Sequence, residues 1–171
     1  MQRNSNWKIL AVRAIIILLL LTPAITPAKG PNLYRAIQKA AFYTIKEEGF
    51  RKCAYWDYSR YSIGYGTIAK SSFECLAKGE QEAKKIARSR MLTHLSGDAI
   101  FIIKRKPMLN TEQLAILTAA AYNSGRAGIL KAVDKAPNKD QVALELRKNH
   151  KNLSGVKKRV NMLADTYLEV S

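Results

Sequence analysis

A chain of 171 residues, 47% hydrophobic and 25% charged, is long enough for one domain with its own core and too apolar to be a disordered tail. Its 29 Lys and Arg against 13 Asp and Glu give a formal charge of +16, which calls for an anionic partner: nucleic acid, an acidic membrane surface, or a polymer such as a cell wall. The only cysteines and histidines, Cys53, Cys75, His94 and His150, do not form the clustered set of four that structural zinc wants, so neither a metal nor a cofactor is expected.

The first 28 residues have the layout of a secretory signal. Arg3, Lys8 and Arg13 make a basic start without an acid, Ala14 to Leu21 is an apolar block, and small residues with prolines follow in "TPAITPA". Cleavage sites are available after Ala24 and Ala28. The uncharged run from Ala14 to Ala28 is 15 residues, short of the roughly 20 that a spanning helix prefers. An uncleaved anchor stays open as the second reading. Residues 1–28 are thus read as signal and 29–171 as one domain, secreted or periplasmic; without the three leading cations its charge is +13. Export favours a wall or envelope partner over nucleic acid. Membrane contact is expected only through a retained N-terminal segment.

In chain order, Leu33, Ile37, Ala40, Ala41, Thr44, Ile45 and Glu48 recur at helical spacing, with Gly49 placed to cap the helix. Glu48 therefore lies on the apolar stripe, whereas Glu47 falls off it and should face solvent. Cys53 to Tyr65 is rich in aromatic and β-branched residues around polar turn material at Asp57 to Arg60, which predicts a β-hairpin. "GEQEAKKIARSRMLTHLSGDAIFIIKR" reads as a long helix with a weak point at Ser96-Gly97 and a stop at Pro107. Asn110, with Gln113 three residues on, caps a segment that is apolar nearly all round, the expected central helix, ended by Gly125. A short helix before Pro137, one capped by Asn138 and one capped by Ser154 complete the chain. The class is α+β: a small β-lobe beside a helical lobe, with a cleft expected between them.

Burial and the negative end of a helix dipole both raise the pKa of a carboxyl such as Glu48, as a general acid working near neutral pH requires. Asp57, nine residues later in a polar turn, should stay ionised. Two carboxyls in different environments are the minimum equipment for cutting a glycosidic bond, and Ser62, Tyr61 and Tyr65 could orient a water and line a sugar site. The same residues also admit a plainer account, a solvated helix-end glutamate and an ordinary turn aspartate.

"EEGFRKCAYWDYSRYSIGYGT" resembles the phage-type lysozymes, the family of the T-even phage lysozymes and lambdoid endolysins. The family's catalytic Glu falls on Glu48, its Asp on Asp57 at the same offset, and its Thr on Ser62 ahead of "IGYG". "AAAYNSGRAGIL" is similar to the family's central-helix motif, and "SGVKKRV" to its C-terminal one, with Arg159 matching. The likeness runs from about Lys46 to Tyr167. It departs in a hairpin one residue shorter than in the T-even enzyme, in serine for threonine, and in Thr67 where the family often has His.

The resemblance implies a lysozyme-like fold and a monomeric muramidase that cuts the β-1,4 bond between N-acetylmuramic acid and N-acetylglucosamine in peptidoglycan. Glu48 would be the acid, Asp57 the base or stabiliser and Ser62 a helper, with Tyr65 and Asn123 touching substrate. The alternative is a non-catalytic, cationic binder of wall or membrane. In an oxidising compartment Cys53 and Cys75 can join in a disulfide; the sequence equally allows two buried thiols.

Overall fold

A computed structural model describes residues 30–57, 60–148 and 154–170. The proposed signal segment 1–28 and His150 lie outside the described residues. Asn32 opens helix α1, Leu33–Glu48, its side chain accepting from the backbone N–H of Arg35 (2.9 Å). Gly49 ends it at φ 67°, where a glycine pays no Cβ penalty. The stripe is real: Ala36, Ala40, Ala41 and Thr44 are buried.

Three antiparallel strands follow in the order β1 (Arg51–Asp57), β2 (Arg60–Gly64), β3 (Thr67–Ile68). The hairpin pairs Tyr55 with Ser62, Trp56 with Tyr61 and Asp57 with Arg60. The third strand, which the hairpin reading lacks, is only two residues long and leaves no period to detect. Along the other side of β1, Cys53 and Cys75 are joined by a disulfide. Backbone bonds from Ala54 N to Glu74 O (2.8 Å) and Leu76 N to Lys52 O (3.1 Å) flank it, so the 74–76 segment is tied to the sheet covalently and by hydrogen bonds.

Helix α2, Glu80–Arg105, runs unbroken through Ser96-Gly97, contrary to the expected weak point. A single glycine inside a helix costs only about 1 kcal/mol, and here it has a use. A Cβ on Gly97 would lie 2.8 Å from Nη2 of Arg126, whose guanidinium crosses α2 to pair with the buried Asp98 (2.8 Å). Glycine makes room for that pair.

Helix α3, Thr111–Leu130, starts on the expected capping box: Gln113 N donates to Asn110 Oδ1 (2.8 Å) and Asn110 N to Gln113 Oε1 (2.9 Å). Every residue from Leu114 to Tyr122 is buried, because α1, α2 and α5 all pack around it. The backbone leaves helical geometry at Gly125 (φ 71°, ψ 161°), continues to Leu130 and closes in a π-helical turn, Lys131–Lys135. Helix α4, Lys139–Lys148, is capped by Asn138, which accepts from Gln141 N (3.0 Å). Helix α5, Ser154–Glu169, begins at Ser154 itself; the capping role of that side chain lies outside the described residues. The fold is α+β, a small antiparallel sheet beside a helical body. Among the described residues no helix is long and apolar enough to cross a membrane.

Candidate functional site

α1 and α3 start together and end together. Asn32 N donates to Thr111 Oγ1 (3.0 Å) and Lys39 pairs with Glu112 at one end. At the other, the Tyr122 hydroxyl donates to the backbone carbonyl of Tyr65 (2.5 Å). Glu48, the last residue of α1, therefore sits where the sheet meets the helical body. Its side chain is only 13% exposed. Gly66 (φ 81°) is pressed against it: a Cβ there would lie 3.3 Å from Glu48 Oε2, so any other residue would strain the backbone and crowd the carboxyl.

Arg159, 111 residues further along on α5, sets its Nη2 3.3 Å from Glu48 Oε1. Burial is the largest influence on Glu48 and pushes its carboxyl above the usual range. The Arg159 charge draws it back, while the Asp57 and Glu47 charges push it up again. Desolvation wins, so Glu48 holds its proton to higher pH than an exposed glutamate even with a cation beside it. Glu47 is half-buried instead of solvent-facing.

Asp57 ends β1, and its Oδ2 accepts from Ser62 Oγ (3.3 Å) across the hairpin. Ser62 is fully buried, and among the described residues that carboxylate is its one side-chain partner, so it helps to position Asp57. Tyr55, cross-strand from Ser62, completes the group. Its phenol is pushed up by burial first, then by the Asp57 and Glu48 charges, so both carboxyls act on one ring.

The structure thus brings Glu48, Asp57 and Ser62 to one seam. It does not bring the Tyr65 ring there. Tyr65 is 8% exposed, its ring packs on Phe50 (centroids 5.5 Å), and only its carbonyl serves the site, as the acceptor for Tyr122. The reason is local: Gly64 and Gly66 flank it at positive φ, and the chain presses on Ala87 of α2 so closely that a Cβ on Gly64 would lie 2.7 Å from the alanine's. Tyr61 pairs edge-on with Trp56 (5.2 Å), and strand alternation turns both away from Ser62. Asn123 is half-buried next to Tyr122; its Nδ2 donates to Ala119 O (3.0 Å), while its Oδ1 is buried without a partner among the described residues.

Four contributors escape a reading of spacing. Arg159 and Tyr122 are remote in sequence, Gly66 reads as turn punctuation, and Tyr55 as hairpin packing. Motif matches touch three of them beforehand, Gly66 in "IGYG", Tyr122 in "AAAYNSGRAGIL" and Arg159 in "SGVKKRV", without giving any of them a role. No protein-family model matches the chain, and no curated protein matches it.

Proposed function

We propose that the chain is a muramidase, a glycoside hydrolase that cuts the β-1,4 bond between N-acetylmuramic acid and N-acetylglucosamine in peptidoglycan. What carries the reading is a proton-retaining glutamate at a helix end, electrostatically coupled to an aspartate that a buried serine holds in place. Glu48 gives its proton to the leaving glycosidic oxygen. Asp57 activates a water or stabilises the sugar cation that develops as the bond breaks. Arg159 keeps the Glu48 carboxylate tolerable after the proton has left and helps set its direction. The Oδ1 of Asn123 has no partner among the described residues but is buried, so it meets a sugar hydroxyl or amide N–H only if the side chain turns toward the site. The formal charge of +13 on residues 29–171 suits a polymer bearing muramyl and peptide carboxylates. The reading also agrees with the phage-type lysozyme resemblance at Glu48, Asp57, Ser62 and Arg159.

Mass spectrometry of fragments released from purified peptidoglycan tests it, with Glu48→Gln as the control. Salt separates enzyme from binder. Screening weakens attraction between the basic surface and the wall, so lysis of whole cells falls steeply as salt rises. Cleavage of a short soluble oligomer, which depends on carboxyls shielded from bulk ions, falls far less. Wall association without oligomer cleavage by folded protein identifies a non-catalytic cationic binder and overturns the proposal.

A further inference from the structure

A cavity of about 420 Å³ opens at the end of the molecule away from Glu48, and the chemistry above makes no use of it. It lies beside the start of α3, where Leu109 and Gln113 line it, roughly 24 Å from Glu48 by the length of the 16-residue α1 that runs alongside. Its volume falls within the range of small-ligand sites. Among the described residues three cations line it (Arg105, Lys106 and Lys139) and no acidic side chain does.

Lys106 is the informative one. It is half-buried, and its ammonium has one hydrogen bond among the described residues, to the carbonyl of Ala136 (2.8 Å). An ammonium has three donors, so two have no acceptor among the described residues. Burial lowers its pKa, and only the more distant Asp134 charge opposes this. A cation drawn out of water toward a neutral carbonyl, on the wall of a cavity, is half of an ion pair. Arg105 is held nearby by stacking on the Phe101 ring (3.8 Å) and by Asp134 (3.4 Å), which fixes its planar fork at the cavity edge.

We propose that this cavity binds a peptide carboxylate, and specifically a short peptide stem of the wall polymer, on a strand other than the one being cut. The proposal rests on the muramidase reading for the source of the peptide, and on the cavity alone for its chemistry. The apolar lining is Pro107, Met108, Leu109, Pro137 and Val142; Leu109 and Val142 are buried and Met108 is the one long apolar side chain exposed there, which suits a small side chain better than an acyl chain. A lipid-facing site would also carry exposed Trp or Tyr, and the one aromatic here, Tyr167, is 3% exposed. Holding a neighbouring strand at the far end would keep the enzyme on the wall between cuts and raise the local concentration of glycan at Glu48.

The test uses the full chain carrying Glu48→Gln, so that binding is read without cutting. It is titrated by NMR with N-acetyl-alanyl-alanine bearing a free C-terminal carboxylate, with the C-terminal amide of the same peptide, and with phosphatidylglycerol vesicles. The acid should bind saturably and the amide about tenfold more weakly, the size of one charge-assisted hydrogen bond. Lys106→Gln should weaken acid binding by a similar factor. The exposed Lys139→Gln should weaken it several-fold, and it serves alone if the Lys106 variant does not fold. Equal affinity for acid and amide, no saturation in the millimolar range, or Lys106-dependent vesicle binding without peptide binding each overturns the site. Failure of wild-type protein to cut a soluble glycan oligomer would instead sink the muramidase reading and leave carboxylate binding standing.

Discussion

Replacing Glu48 with glutamine separates activity from stability in a way the structure sets quantitatively. The substitution keeps the side-chain volume and leaves a carbonyl oxygen within reach of Arg159 Nη2, so the local packing survives. It removes the transferable proton, and loss of a general acid typically costs about 10²–10⁴ in rate, or roughly 2.7–5.5 kcal/mol of barrier. Stability should behave differently. Because burial raises the Glu48 pKa, the folded state holds the proton more tightly than the unfolded chain. Folding is therefore favoured below the usual carboxyl range, and that advantage is lost as pH rises through the folded-state pKa. Above that pKa the wild type carries a carboxylate on a side chain only 13% exposed, and the glutamine variant carries none. The variant should be within about 1 kcal/mol of wild type at pH 7, or more stable, and should lose ground to it as pH falls toward 4. Oligomer cleavage followed by chromatography, with denaturant unfolding at both pH values, reads the two effects. Clearing within tenfold of wild type would refute the acid assignment. A loss above about 3 kcal/mol at pH 7, the cost of breaking a net-stabilising buried pair, would refute the burial argument. Glu47→Gln should leave turnover nearly unchanged.

Three further outcomes follow from neighbouring contacts. Tyr122→Phe removes the one side-chain donor to the Tyr65 carbonyl among the described residues, so it should cost about 1–3 kcal/mol by thermal unfolding and lower turnover by loosening the adjacent Gly66; unchanged stability would show that the bond has no worth. Gly66→Ala strains a φ of 81° and crowds Glu48 Oε2 at 3.3 Å, so kcat should fall with the fold retained by circular dichroism, and full activity would place Glu48 elsewhere. Reducing Cys53–Cys75, 22 residues apart, should lower stability by about 3 kcal/mol in the loop-entropy account; less than about 1 kcal/mol would mean that the 74–76 backbone bonds hold the segment unaided.

Where local chemistry decides, the residues by themselves determined the outcome. Helix starts at Asn110 and Asn138, helix ends or kinks at Gly49 and Gly125, the hairpin, and the buried central helix all follow from capping, backbone freedom and period. So does the placing of Glu48 on the buried stripe, since 3.6-residue spacing aligns it with Ala41 and Thr44. What depends on packing between distant segments was decided only by the tertiary structure. At Gly97 the sequence shows a weak helix position, and the fold shows a guanidinium passing over it from α3. Tyr65 has the look of a sugar contact until two glycines and Ala87 press its ring into the core. The Glu48 carboxyl owes its balance to burial against Arg159, contributed by the last helix, and its fit to Gly66, contributed by the strand turn. A pattern along one chain records which face of an element is apolar, but not which other element will cover it.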